Sequence, residues 1–304
     1  MNTKSLWLCL ALVAATSVSA ATTHAIAPRA NTKNDSILIA ETAYTIATDR
    51  PSVGASAYTV PSGYLQYEGG YQFSLRRENQ PFTEIYQAHS LDELLRFGVS
   101  DRFEIRLQVN GAAQRINQTT VVTPPYWQSG IYPVTGGFKY ALLTEKGHRP
   151  QLSWLSQYSI PWVAAGDFLV PSGNLVLHEQ RLLLAKSLGS RNSVGANVGF
   201  TGGLQGSASF VSDVLTTVSY TYTLGTLSLY AEYFATSTWG GNRWYSTQNI
   251  DGGFTALVGG GQTQIDVYMG WDLSPYFKPA APTSGLFFGA GVSYALPVLQ
   301  MKWR

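Results

Sequence analysis

Nine polar residues recur at alternate positions among apolar ones: Glu68, Gln72, Arg76, Arg102, Glu104, Arg106, Lys139, Glu232 and Asp266. Residues two apart share one face of an extended strand, while their neighbours face the other way. Around Glu104 the sorting is clean. Arg102, Glu104, Arg106, Gln108 and Asn110 fall on one face, and Phe103, Ile105, Leu107 and Val109 fall on the other. Carboxylates and guanidinium groups on one wall form ladders of opposite charge. Such a wall can line a watery passage, or it can close one with salt bridges and hydrogen bonds. Both signs are present, so a single-sign filter is not expected. Glu93 and Arg96 break the rule, because a regular strand points them to opposite faces. A bulge, or a different register, is expected there.

Catalytic chemistry asks for other arrangements. A hydrolytic site needs a nucleophile within reach of a base that a third group orients. His89 and Ser90 are adjacent, but adjacent strand residues point apart, so the pair cannot meet without a bulge. His178 reads as a strand histidine and His148 as a turn histidine. No nucleophile elbow, phosphate loop or metal-spaced cluster of His, Asp and Glu is found. Cys9, the single cysteine, lies in the first 20 residues, so the chain beyond them has neither disulfide nor thiolate. No enzymatic activity, cofactor or metal is expected.

The elements that must position the charged residues are strands. In Tyr64–Arg76 the odd positions are Leu65, Tyr67, Gly69, Tyr71, Phe73 and Leu75, while Gln66, Glu68, Gln72, Ser74 and Arg76 take the even ones. A helix would scatter these residues around its axis. Comparable segments predict about twelve strands, near 63–76, 88–99, 102–115, 132–143, 150–162, 175–188, 193–203, 208–223, 226–238, 250–259, 262–272 and 285–296. Between them, long polar connections (77–87, 116–131, 163–174, 239–249, 273–284) and a modest one around 204–207 alternate nearly throughout with tight turns at Ser100-Asp101, Thr144–Arg149, Gly189–Asn192, Gly225 and Gly259–Gly261. A soluble sandwich has no reason to alternate loop length with strand parity. A closed antiparallel transmembrane β-barrel does, because the turns on one side of the membrane are short and the loops on the other are long.

Composition agrees. Charged residues are 12% of the chain and aromatics 13%, with 30 Gly and 18 Tyr, and mean hydropathy is near zero. No segment beyond the first 20 residues is apolar for the roughly 18 residues that a membrane helix needs. Trp154, Tyr158 and Trp162 share parity with Leu152 and Ile160, and Trp271 follows Ile265, Val267 and Met269, as expected for an outward face with rings at headgroup depth. Trp127, Trp239 and Trp244 fall in expected loops, where they either pack on the barrel mouth or stack on ligands.

The ends set the compartment. Lys4, the apolar run Leu6–Ala15 and Ser17-Val18-Ser19-Ala20 make a signal peptide over 1–20, with processing near Ala21. Losing Lys4 lowers the formal charge from +2 to +1, which excludes nucleic acid as a partner. Residues 21–62 are Pro-punctuated and non-periodic and read as a periplasmic lead-in that could also fold inside as a plug. The barrel then covers 63–296, and 297–304 is a short tail.

Thr48-Asp49-Arg50-Pro51, Thr59-Val60-Pro61-Ser62-Gly63, Gln66 and Glu68-Gly69 resemble the opening of the MetA-pathway phenol-degradation transporter family. Leu94–Arg106 resembles its next block, and Ile250–Phe254, Gln264–Val267 and Phe288–Tyr294 resemble its closing blocks. The resemblance spans about 48–296. It implies an outer-membrane transporter and carries no catalytic or ligand residues with it. Members end on an aromatic residue, whereas here Tyr294-Ala295-Leu296 is followed by Pro297–Arg304 with Trp303 penultimate. Either the last strand stops early or assembly tolerates a displaced signal.

The expectation is a monomeric bacterial outer-membrane barrel of about twelve strands, inserted by barrel-insertion machinery and surrounded by outer-membrane lipid. Small, organic or aromatic solutes would pass it by passive diffusion. The alternative is an occluded barrel that acts through its outer loops. Twelve strands lie between the roughly eight that side chains fill and the sixteen that leave an open channel, so strand number does not decide.

Overall fold

The computed structural model describes residues 44–78, 84–118, 124–160, 165–167, 176–205, 208–240, 243–273 and 283–298. The expected signal peptide, residues 21–43, Trp162 and the tail beyond 298 lie outside the described residues.

Among the described residues there are fourteen strands, the long ones built by alternation of apolar and polar residues. They are β1 (Tyr64–Glu78), β2 (Glu84–Ser100), β3 (Phe103–Gln118), β4 (Tyr126–Ile131), β5 (Val134–Leu143), β6 (Gln151–Ile160) and β7 (Ala165–Gly166). The rest are β8 (Val176–Ser187), β9 (Asn192–Gln205), β10 (Ala208–Leu224), β11 (Leu227–Gly240), β12 (Arg243–Val258), β13 (Thr263–Asp272) and β14 (Thr283–Pro297). Twelve of them pair antiparallel in one closed ring. Consecutive members are neighbours, and β14 returns to β1 from Tyr64↔Pro297 to Glu78↔Thr283. β4 and β7 stand outside the ring, β4 on the far end of β3 and β7 on β4. Closure leaves the ring itself without an edge of unpaired backbone, which is the condition for placing a sheet in hydrocarbon.

All twelve ring strands overlap the segments that alternation predicts. Differences lie at the ends and in the connections. The connection expected over 116–131 carries β4, with Trp127, paired with the far end of β3. The connection expected over 239–249 is instead a continuation of the β11–β12 hairpin, paired up to Gly240↔Arg243. Its polar composition hid the pairing, because a strand outside the apolar belt needs no apolar face. The turn expected at Ser100-Asp101 is formed by Asp101-Arg102, with β3 starting at Phe103. The chain reverses at Gly225 (φ 64°) and through Gly259–Gly261 (φ 59°, 72° and 91°), left-handed conformations that glycine adopts without strain.

The two faces of the wall are unlike. Along β13, Gln264, Asp266 and Tyr268 are buried, whereas Ile265, Val267, Met269 and Trp271 are exposed. Ile105, Leu107, Trp154, Tyr158, Val218 and Phe288 continue this exposed apolar belt around the ring. A belt of that extent is unfavourable in water and is the surface that lipid covers. Among the described residues no helix is long and apolar enough to cross a membrane. The interior is polar, with one small apolar patch where Ala57 meets Leu155 and Leu183.

Candidate functional site in the barrel lumen

Strand register concentrates charge on one side of the interior. Arg96 of β2 lies opposite Arg106 of β3, and Glu104 of β3 lies opposite Lys139 of β5. Like charges directly opposed are destabilising unless anions stand between them. Glu104 does so. It takes both Nε and Nη2 of Arg96 at 2.9 Å, Arg106 Nη1 at 3.0 Å, and lies 3.6 Å from Lys139 Nζ. Arg96 Nη1 also donates to Glu68 Oε1 at 2.8 Å. Arg96, Glu68, Glu104 and Lys139 have no more than 1% of their surface exposed, so these pairs act with little screening.

The third anion comes from a segment that is not a strand. Residues 44–62 enter at the end of the barrel that carries the tight turns, rise to mid-height and return to β1. Ile46 N–H donates to Gly261 O (2.9 Å) at the entry, and Gly63 N–H donates to Gly98 O (2.8 Å) at the exit. At the tip, Asp49 Oδ1 lies 3.1 Å from Lys139 Nζ and 3.4 Å from Arg96 Nη1, and its Oδ2 lies 2.6 Å from Arg106 Nη1. Three cations thus face three carboxylates. The next residue points the other way. Arg50 Nη2 reaches Asp266 Oδ1 of β13 at 3.2 Å, with the guanidinium 5.8 Å from the Tyr268 ring centroid. The guanidinium sits in a notch that two opposed glycines leave open. A Cβ on Gly70 would come within 2.0 Å of Arg50 Cζ, and one on Gly291 within 2.4 Å of its Nε.

Backbone groups complete the docking. Asp49 and Arg50 N–H donate to Glu68 Oε2 (2.8 and 3.1 Å), Val53 and Gly54 N–H to Glu232 (2.7 and 3.0 Å), and Val60 N–H to Glu104 (2.7 Å). Asn197 Nδ2 donates to Ala55 O at 3.1 Å. Ser153 of β6 and Arg181 of β8 also donate, to Ala57 O and Val53 O. Partners on β1, β2, β3, β5, β6, β8, β9, β11 and β13 hold the segment, which therefore crosses the lumen rather than lining one wall. Where 21–62 reads in the sequence as a periplasmic lead-in, residues 44–62 lie inside the barrel.

Electrostatics favour the charged form of the tip. Burial pushes the Asp49 carboxyl up, but Arg106, Arg96 and Lys139 outweigh it and hold it well below the usual 3.8. At the turn end, hydrogen bonds from Lys186 (2.8 Å) and from Tyr58 of the segment (2.6 Å) lower Glu145 from 4.5 to about 2. Burial, and then the Glu145 bond, push the Tyr58 hydroxyl up to about 12.

Of the nine residues singled out by alternation, the structure brings together Glu68, Glu104, Arg106, Lys139, Glu232 and Asp266, all buried in the lumen. Gln72 faces the same space and accepts from Tyr268 Oη at 2.9 Å. Arg76 is exposed, near the far end of β1. Arg102 is a correction: it belongs to the Asp101-Arg102 turn and is exposed, because β3 begins one residue later than expected. The conflict between Glu93 and Arg96 also resolves. β1–β2 pairing is regular throughout, so Arg96 points in and Glu93 points out, hydrogen-bonded to the Tyr67 hydroxyl. The bulge falls at Val99, between Gly98 and Ser100. Asp49 and Arg50 escaped periodicity because they lie on no strand. Their signal was composition, since they are the sole charges between Tyr44 and Gly63. His89 faces outward, bonded through Nδ1 to Tyr71 Oη (2.7 Å) and stacked on Trp127, and His178 packs outward between Tyr158 and Phe200.

Cavities flank the segment. One of about 440 Å³ lies toward the loop end and includes Gln72, Asp92, Arg106, Asn110 and Arg181 in its lining. Another of about 320 Å³ lies toward the turn end, lined by hydroxyls of Ser193, Ser219, Thr221, Ser228 and Tyr230. Arg50, Pro51 and Ser52 line both, so the tip stands between them.

Solved outer-membrane barrels share this fold. An outer membrane channel from Pseudomonas putida F1 matches at a TM-score of 0.57 and 14% identity, over 79% of this chain and 98% of its own. The translocator domain of the autotransporter NalP from Neisseria meningitidis matches at 0.50 and 9% identity, over 76% and 88%. No family model and no curated protein matches the sequence, so the resemblance to the phenol-degradation transporter family rests on the blocks quoted above.

Arg96→Met removes the group shared by Glu104 and Glu68, leaving both carboxylates buried without their main partner. The expected loss is about 3–5 kcal/mol of unfolding free energy, read from urea denaturation of refolded protein. An unchanged transition would show that the cluster does not hold the barrel together. The carboxyls of Asp49 and Glu145 are held below their unfolded values of 3.8 and 4.5. Their contribution is therefore complete above those values and is lost as pH falls toward 2 and below. The Tm advantage of wild-type protein over Glu145→Gln in detergent should be constant from pH 7 to about 5 and shrink below about 4. A gap that persists undiminished to pH 2 contradicts this.

Proposed function

We propose that the chain is a bacterial outer-membrane channel through which small solutes diffuse passively, narrowed at mid-height by its own residues 44–62. One observation carries this reading: two polar cavities, of about 440 and 320 Å³, meet at Arg50, Pro51 and Ser52 inside a closed barrel with an apolar exterior. A barrel serving as an anchor alone gains nothing from water-accessible space on both sides of a polar constriction. Glu68, Gln72, Glu104, Arg106, Lys139, Glu232 and Asp266 then act as wall residues. Most of them hold the constriction, and Gln72 and Arg106 also face the larger cavity. The narrower suggestion, transport of organic or aromatic compounds, draws on the family resemblance. Both signs of charge at the tip suit a dipolar or hydroxylated solute better than a strongly charged one.

The alternative, an occluded barrel acting through its loops, is favoured by the hydrogen bonds that hold 44–62 across the lumen. Conductance separates the two. Protein lacking 21–62 should give discrete single-channel steps in a planar bilayer, larger than those of the full mature chain. Arg106→Gln should change the cation-to-anion selectivity of those steps. Silence from both the full and the shortened protein would leave the occluded barrel as the account.

A further inference from the structure

The buried charges of the lumen pair off, except on one stretch of wall. Arg96, Arg106 and Lys139 are matched by Glu68, Glu104 and Asp49, and Arg50 is matched by Asp266. Glu232 and Asp251 are 2% and 3% exposed, and neither takes part in a salt bridge among the described residues. They are direct cross-strand partners on β11 and β12. Side chains so placed have Cβ atoms about 4.5–5.5 Å apart, and two like charges there repel.

The two carboxylates are not equivalent. Glu232 receives the Val53 and Gly54 N–H groups. Asp251 receives nothing: both Oδ1 and Oδ2 are buried without a hydrogen-bond partner. Register explains why. On one side its neighbour is Glu232, a second acceptor, and on the other it is Gly270, which has no side chain. Tyr230, two residues before Glu232 and diagonal to Asp251, also has a buried hydroxyl without a partner. Asp266 Oδ2 is a further unmatched oxygen on the adjacent strand. A desolvated carboxylate with no donor is strongly unfavourable, so this wall calls for a positive, hydrogen-bonding or ligating group.

We infer that Asp251 and Glu232, with the Tyr230 hydroxyl, form a binding site for a small cationic group: a hard metal ion or the ammonium head of a solute. Both present the same chemistry, a compact positive charge that takes oxygen ligands or donates N–H bonds to them. No set of three or more metal-ligating residues exists among the described residues, so protein oxygens supply only part of the shell. Water, or the rest of the solute, completes it. Tyr230, though neither carboxylate, lines the cavity of about 320 Å³, so the hydroxyl end of the site faces that space. The site does not depend on conduction; a barrel that passes no current would bind the cation equally.

The test is thermal unfolding of refolded protein at pH 7 after chelator treatment. The probes are calcium chloride, potassium chloride and propylammonium chloride, with tetramethylammonium chloride at matched ionic strength as the control that offers neither ligation nor N–H donors. At least one probe should raise the Tm saturably over the control in wild-type protein. Asp251→Asn should weaken that probe's apparent affinity at least tenfold, while Asp92→Asn, which alters a carboxylate of the other cavity, should leave it unchanged. A calcium or potassium response identifies the ligand as a metal ion, and a propylammonium response identifies it as an amine. If no probe exceeds the control, the proposal falls, and a protonated Asp251 takes its place. Should Asp251→Asn fail to refold, equilibrium dialysis of wild-type protein decides: retention of about one equivalent of calcium, potassium or propylammonium supports the site, and retention of none of them overturns it.

Discussion

Arg96 has no exposed surface, and all five of its N–H donors meet acceptors. Two go to Glu104, one to Glu68, one to the Ala47 carbonyl and one to the Tyr58 carbonyl. The last two matter most. Ala47 lies on the ascending limb of the lumen segment and Tyr58 on the descending limb, so a single guanidinium ties both limbs to β1 and β3. Lysine could not replace it, because an ammonium has three donors and no planar fork. A lumen without this group would hold Glu68, Glu104 and Asp49 against Arg106 and Lys139 alone, an uneven set in a poorly screened interior.

From that interaction the remaining organisation follows. The segment can cross the barrel only if its tip satisfies walls of opposite character, and Asp49-Arg50 does this with adjacent residues. Asp49 closes the cationic side, while Arg50 crosses to Asp266 through the Gly70–Gly291 notch. The segment brings one positive and one negative charge and adds no net charge to the interior. What stays unmatched is Asp251, whose direct cross-strand neighbours, Glu232 and Gly270, offer no side-chain donor.

Much of this was legible in the sequence, and the parts that were not share a cause. Period-two alternation found all twelve ring strands because lipid outside and water or polar partners inside impose opposite demands on successive residues. It located Glu68, Glu104, Arg106, Lys139, Glu232 and Asp266 for the same reason. Arg102 was misplaced because parity continues through a turn that the backbone does not. Arg96 looked anomalous beside Glu93 because an outward carboxylate was not expected, yet Glu93 is satisfied by Tyr67. The plug residues were invisible to periodicity. A segment held by side chains of nine different strands has no repeat of its own, and its fit is a property of the closed ring.

The place of residues 44–62 in the lumen is tested most directly by disulfide trapping. The chain beyond the expected signal has no cysteine, so a designed pair stands alone. A Cβ on Gly54 of the segment would lie 2.7 Å from Oγ1 of the buried Thr217 of β10, a separation that a disulfide can bridge. In refolded protein carrying Gly54→Cys and Thr217→Cys, mild oxidation should link the pair in most molecules without lowering the yield of folded barrel. Folded barrels whose two thiols stay free and react with a water-soluble maleimide would place the segment elsewhere and contradict the account.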